Sequence, residues 1–372
     1  MLFVTLVVVL ATLFAYADDK RLLHGGFKIS FWLLTLCMSL RYDYGNDYFS
    51  YMRIFDEING CQSLISAYKQ SGMEIGWVLL TRLLSPFGFQ SQILVCSLIL
   101  YGIFYSLIYK YVSRPYRWLS LLLFLLNDSL FLLDLSMLRQ GLSCALFAFA
   151  ICFALDNKRV KSTIVWLVGV SIHTSAIIGL PFLIIVFLKK VINPMMVLLL
   201  SVIICVYMIA NPNSSEYLFS FLLENMEGTD IMDLYGKYIR KATDFRLGIG
   251  VFIEYISIIP GLLYFKYFKE FDKYMVIFYT VILLLIPLSA NSIMLMRIIS
   301  YFMPFVIILF PRFCDRNRIA FDIAIDGQKS YRWQILSKSA IALYMIYVAY
   351  SYVSFFDSET YGFAYKHFHV FF

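Results

Sequence analysis

Four places in this 372-residue chain set an arginine or a histidine beside long apolar sequence, where the residue types could do chemistry. In Leu138-Arg139-Gln140-Gly141 an arginine opens an apolar run. If that run is a helix, Arg139 adds positive charge where the backbone N–H groups and the macrodipole already favour an anion such as phosphate. The alternatives are an arginine snorkelling to lipid headgroups or pairing with Asp134. His173, one of four histidines, lies in Ser171-Ile-His173-Thr174-Ser175-Ala176. As a residue type histidine titrates near neutrality, which suits a general base or a switchable phosphate ligand. A buried histidine capping a helix is the competing role. Arg297, in Arg297-Ile-Ile-Ser-Tyr301-Phe302, has no acidic neighbour in sequence. Either it serves a ligand or a distant carboxylate such as Asp128 or Glu254 pairs with it. The segment Arg41-Tyr-Asp43-Tyr-Gly45-Asn-Asp47-Tyr48-Phe-Ser-Tyr51 joins a cation, carboxylates and rings. Aromatic faces stack on sugars while Asp and Asn bind hydroxyls; an interfacial aromatic belt with a turn at Gly45-Asn46 is the alternative. Glu74, in Glu74-Ile-Gly76-Trp77, and the run Lys237, Arg240, Lys241, Arg246 are further candidates, the run reading equally well as a solvated face.

The elements that must carry these residues follow from composition. The chain is 61% apolar, 18% aromatic and 15% charged, against roughly 45–50% apolar and about 25% charged in soluble domains. That excludes an ordinary soluble enzyme, a disordered chain and a nucleic-acid-binding domain. Apolar runs of about 15–25 residues between short charged links predict an all-α, polytopic transmembrane helical bundle of roughly 10–12 spans. Met1–Ala17 resembles a signal peptide, but it has no basic start and Lys20 and Arg21 follow it, so it reads as a first span. The stretch 162–188 is long for one helix and short for two. Lys158, Arg159 and Lys161 precede it and Lys189 and Lys190 follow it. By the positive-inside rule both ends are then cytoplasmic, and the segment is a pair of short helices meeting near His173. With that choice one topology places 20 of the 31 basic residues inside. It leaves an outer loop at 41–91 with an amphipathic segment over 74–87, a second outer loop at 211–246 and a cytoplasmic loop at 311–338. Residues 1–372 read as a single integral membrane domain. The seven cysteines imply no disulfide framework.

In this topology Arg139, His173 and Arg297 all stand near the N-termini of spans entered from the outer side. Together they would give a poorly solvated outer pocket a layer of positive potential, a fit for a lipid-linked diphosphate. No paired carboxylates accompany it, and the Asp230 and Asp233 spacing is weak, so neither a metal nor another cofactor is expected.

The ordered set Arg41-x-x-x-Gly45-x-Asp47-Tyr48-x-x-Tyr51, Glu74-x-Gly76-Trp77, Leu138-Arg139-Gln140-Gly141, His173-x-Ser175-Ala176 and Arg297-x-x-x-Tyr301-Phe302 resembles the EpsG family, Wzy-type polymerases of bacterial surface polysaccharides. The resemblance implies a fold similar to lipid-dependent membrane glycosyltransferases, in the bacterial inner membrane with its active site facing the periplasm. It implies block transfer of a growing glycan from undecaprenyl diphosphate to a single repeat unit on the same carrier. The implied partners are donor and acceptor lipids, membrane lipids and a chain-length-regulating membrane protein as a candidate, with no nucleic acid. On this reading Arg139 and Arg297 hold the diphosphate and His173 is the base or a third phosphate ligand. Arg41, Asp47, Tyr48 and Tyr51 shape the acceptor site, with Glu74, Gln140 and Arg246 as further substrate-binding candidates and Asp47 and Glu74 as alternative bases. Two other activities fit the same ligand. A polysaccharide ligase would pass the glycan to another acceptor and usually has one much larger outer loop. A flippase would need charged residues through the membrane and repeat symmetry, and the sequence offers only Asp128 and Glu254 deep in the spans.

Overall fold

A backbone in hydrocarbon must satisfy its own N–H and C=O groups, so long apolar runs close into helices. The computed structural model describes residues 2–211, 248–289, 293–315, 327–357 and 369–370, nearly all of them helical. Six described helices are long and apolar enough to cross a membrane, and five shorter apolar helices accompany them. The all-α polytopic bundle expected from composition is what is found. The chain divides into two compact units, one of Met1–Lys190 with Ile307–Arg318 and Val348–Phe372, the other of Val191–Val306 with Ile319–Tyr347.

The first unit runs through α1 (Leu2–Asp19), α2 (Gly26–Ser39), β1 (Arg41–Tyr42), α3 (Tyr48–Gly60), α4 (Leu64–Ser71), α5 (Ile75–Leu84), α6 (Phe89–Tyr111), α7 (Arg117–Leu126), α8 (Leu138–Leu155), α9 (Arg159–Ile172) and α10 (Leu180–Phe187). The stretch 162–188 is the expected pair of helices: α9 stops at Ile172, a 3-10 turn spans Thr174–Gly179, and α10 follows. Most of the 41–91 segment is helical, as α3, α4, α5 and the start of α6, and Glu74 is the residue that precedes α5. After α7, Asn127 caps a π turn over Asp128–Leu132 by accepting from Ser129 N–H at 3.0 Å.

Small residues let α8 and α9 approach closely, the usual way helices associate in lipid. Gly141, Ser143, Cys144, Ala145, Ala148, Ala150 and Ala154 spread small side chains along α8, and all of them are buried. Two hydroxyls stitch the contact: Ser143 Oγ donates to Gly169 O at 3.0 Å and Ser162 Oγ to Ala150 O at 2.7 Å. One end of this unit is tied by charge. Arg114 pairs with Asp18 at 2.8 Å, Lys110 with Asp156, and Arg312 Nη1 donates to Tyr111 O at 2.7 Å. The opposite end of α8 and α9 gathers Arg139 and His173. A short strand β2 (His369–Val370) pairs antiparallel with β1, Arg41 facing Val370.

The second unit holds α11 (Pro194–Ala210), α12 (Ile249–Ser257), α13 (Ile259–Leu263) and α14 (Glu270–Ser289), and takes part of α15 (Ile293–Cys314) and of α16 (Gly327–Asp357). α11 packs along α14, where Ser201 Oγ donates to Leu283 O at 2.6 Å. The apolar run 249–263 is broken between α12 and α13, where Pro260 cannot supply a backbone donor. Of the 311–338 segment, residues 311–314 belong to α15 and 327–338 to α16.

Candidate functional site: a carboxylate shared by an arginine and a histidine

Glu74 precedes α5 with an extended backbone and makes no side-chain cap to its own helix. Its carboxylate instead crosses to two other elements. Oε2 accepts from Arg139 Nη1 at 2.6 Å. Oε1 lies 2.9 Å from His173 Nδ1 and accepts from Thr174 N–H at 3.0 Å and Thr174 Oγ1 at 3.3 Å. Glu74 therefore caps the 3-10 turn that follows His173 rather than the helix it introduces, which places negative charge at an N-terminus that favours it.

Each partner is held by its element. Arg139 is the second residue of α8, whose preceding residue Met137 offers no side-chain cap. His173 ends α9, its N–H bonded to Gly169 O at 3.0 Å. α5 comes close to α9 because position 76 is glycine: a Cβ there would lie 2.7 Å from Ser171 O and closer still to Ser171 Oγ. Tyr51 of α3, which is buried, supports the cluster with its ring 5.9 Å from the Arg139 guanidinium and 5.7 Å from the Trp77 ring. The three polar side chains are each only about a fifth exposed, at 19% for Arg139, 17% for Glu74 and 20% for His173.

The electrostatics follow from this packing. Burial pushes the Glu74 carboxyl up, but the His173 bond, the Arg139 charge and the Thr174 N–H outweigh it and hold it down at about 2. Glu74 is ionised throughout the physiological range. Arg139 donates to Glu74 and also bonds the Tyr51 side chain, while its Nε is buried without a hydrogen-bond partner, a state that costs about 1–3 kcal/mol.

The other candidates fall as follows. Arg41 is 1% exposed, with Nη1 donating to Met38 Sδ at 2.8 Å and its carbonyl accepting from Gln90 Nε2 at 3.3 Å. It sits in the interior, not on an open sugar-facing surface. Gly45 takes φ +95°, and a Cβ there would lie 2.5 Å from Leu135 O, so the 43–47 turn packs onto the chain just ahead of α8. Asp47 stands half-buried at the start of α3 and accepts from Tyr51 N–H through its carbonyl at 2.9 Å. Tyr48 is buried with its hydroxyl 3.4 Å from Gln90 Oε1, and Gln140 is buried one residue past Arg139. Arg297, fifth residue of α15, is half-buried in the second unit, just before the fully buried Tyr301 and Phe302. Arg246, with Lys237, Arg240 and Lys241, lies outside the described residues, as do Asp230 and Asp233.

Asp134, the sequence-level alternative partner for Arg139, does not pair with it. Asp134 is buried with Oδ1 against Gly141, and burial pushes its carboxyl well up, opposed by the charge of Arg41. Thr174 joins the cluster through its N–H and hydroxyl without being a sequence candidate, and its place next to His173 is the signal for it. Among the described residues no group of three His, Cys, Asp or Glu side chains comes together to hold a metal ion.

These features define a multi-pass helical membrane protein in which one end of a helical unit carries a semi-buried arginine–carboxylate–histidine cluster flanked by aromatic residues. The sequence pattern of the EpsG family matches residues 27–368, which includes every motif in that cluster. The chain belongs to the EpsG family, a family of Wzy-type polysaccharide polymerase-like proteins. No curated protein and no solved structure matches it.

Proposed function

We propose that the protein is a glycosyltransferase that joins undecaprenyl-diphosphate-linked oligosaccharide repeat units by block transfer at the periplasmic face of the inner membrane. The observation that carries this reading is the Arg139–Glu74–His173 cluster: a phosphate-type donor and a base-type ring held by one carboxylate, on motifs resembling those of the family. In the reaction the acceptor hydroxyl gives its proton to His173. Its oxygen bonds the anomeric carbon of the donor glycan, and the broken C–O bond leaves its electron pair on undecaprenyl diphosphate. Arg139, through donors not engaged by Glu74, stabilises the charge that grows on that leaving group, the kind of preorganised help that often supplies the largest catalytic term. Asp47, Tyr48 and Tyr51 are assigned the shaping of the acceptor side, and Arg297, on its own family motif, is proposed as a phosphate ligand.

In cells, Arg139→Ala and Arg297→Ala are expected to insert normally and abolish polymerisation, so that single repeat units accumulate on the final acceptor. A normal ladder of long chains from either variant would remove that arginine from the leaving-group role. Total loss of surface glycan, rather than single-unit capping, would favour a ligase or a flippase.

A further inference from the structure

We propose that Glu74 is a positioning residue that holds His173 as the Nδ1–H tautomer and so leaves Nε2 as the proton acceptor of the ring. The inference rests on the assignment of His173 as the base in the proposed transfer. An ionised carboxylate only accepts hydrogen bonds. Glu74 accepts from a guanidinium on one oxygen and from a backbone N–H on the other, so both oxygens act as acceptors. The 2.9 Å contact between Oε1 and Nδ1 is then made by a proton on Nδ1. A neutral imidazole carries one N–H, so the lone pair falls on Nε2. The Nδ1 side of the ring is closed by Glu74, leaving the opposite nitrogen as the one a substrate hydroxyl can meet.

The same geometry argues against Glu74 as the base itself. Its two oxygens already take contacts from Arg139, His173, Thr174 N–H and Thr174 Oγ1. A carboxylate so saturated is a poor acceptor for a further proton, but it is well placed to stabilise the imidazolium that forms when Nε2 is protonated. One group thereby sets the spacing between the base and the phosphate ligand. Arg139 from the start of α8 and His173 from the end of α9 lie on two helices that pack on each other, and Glu74 touches both.

The test is 15N NMR of the full-length protein in detergent with labelled histidine, followed to alkaline pH until the ring signals stop moving. The His173 signal is assigned by its disappearance in His173→Gln among the four histidines His24, His173, His367 and His369. The expected wild-type result is a pyrrole-type Nδ1 and a pyridine-type Nε2. Glu74→Gln is expected to shift the population toward Nε2–H and to lower kcat on lipid-linked repeat units by about 10²-fold or more. Glu74→Asp, which retracts the charge by one methylene, is expected to move the tautomer in the same direction by less and provides the measurement if the glutamine variant does not stay monodisperse. A wild-type ring with its proton on Nε2, or a tautomer indifferent to both Glu74 variants, overturns the proposal. The tautomer is read without turnover, so a protein that shows it and makes no polymer loses the proposed activity while the role of Glu74 in orienting the ring stands.

Discussion

Glu74 joins an arginine, a histidine and a backbone N–H, and its charge state makes a prediction of its own. Its carboxyl is held at about 2, below the ordinary value of 4.5. A carboxyl depressed on folding contributes stability that is present above its unfolded value and lost as pH falls toward its folded one. Stability in detergent is therefore expected to decline between about pH 4.5 and 2 partly through this group. Glu74→Gln should flatten that decline while lowering stability at pH 7, as read from thermal unfolding midpoints. Identical pH curves for the two proteins would contradict the geometry. The residue types of this site were legible in sequence, but the hub was not. Arg139 and His173 stand out against apolar surroundings, and Glu74 reads as a substrate-binding residue or alternative base, not as the group that joins them. Its partners lie 65 and 99 residues away, and nothing local in the sequence points to them. Arg41 reads from the sequence as part of a sugar-binding segment, and the fold shows it buried against Met38.

At the scale of elements, the site depends on α5 lying close against α9. Gly76→Ala puts a methyl into Ser171 O and Oγ. Alanine is the better helix former by about 1 kcal/mol, but overpacking against backbone costs about 1–3 kcal/mol. The expected outcome is withdrawal of Glu74 from His173, with at least a tenfold loss of polymerisation and a modest fall in the unfolding midpoint. Full activity in Gly76→Ala would mean that α5 does not set the site. The hinge at His173 was legible because positive charge flanks both ends of 162–188, which forces an even number of crossings. The break between α12 and α13 was less so, since an apolar run with one proline also reads as a kinked single span. The start of α16 at Gly327 was hidden by Lys329, Arg332 and Lys338, charges that suit a loop and equally a helix extending beyond the bilayer.

For the whole molecule, the proposed transfer requires the cluster end of the first unit to face outward. Cys61, partly exposed between α3 and α4, belongs to the segment between β1 and α6, whereas exposed Lys158 precedes α9 at the other end. In a chain whose only cysteine is Cys61, an impermeant thiol reagent should label intact spheroplasts. A chain whose only cysteine is introduced by Lys158→Cys should label only after permeabilisation, and the reverse pattern would invert the topology. The family match covers most of the chain, and the apolar composition already required a helical bundle, so class and family were both readable before any coordinates. The assembly of Arg139, Glu74 and His173 from three separate segments was not, because only packing of α5, α8 and α9 brings them together. The most direct test of the central claim is incubation of the purified protein with synthetic undecaprenyl-diphosphate-linked repeat units, with products resolved by length. A ladder of multimers that disappears in Arg139→Ala is the predicted result. An absence of product without a second lipid acceptor, or movement of the intact lipid across liposomes with no new glycosidic bond, would contradict it.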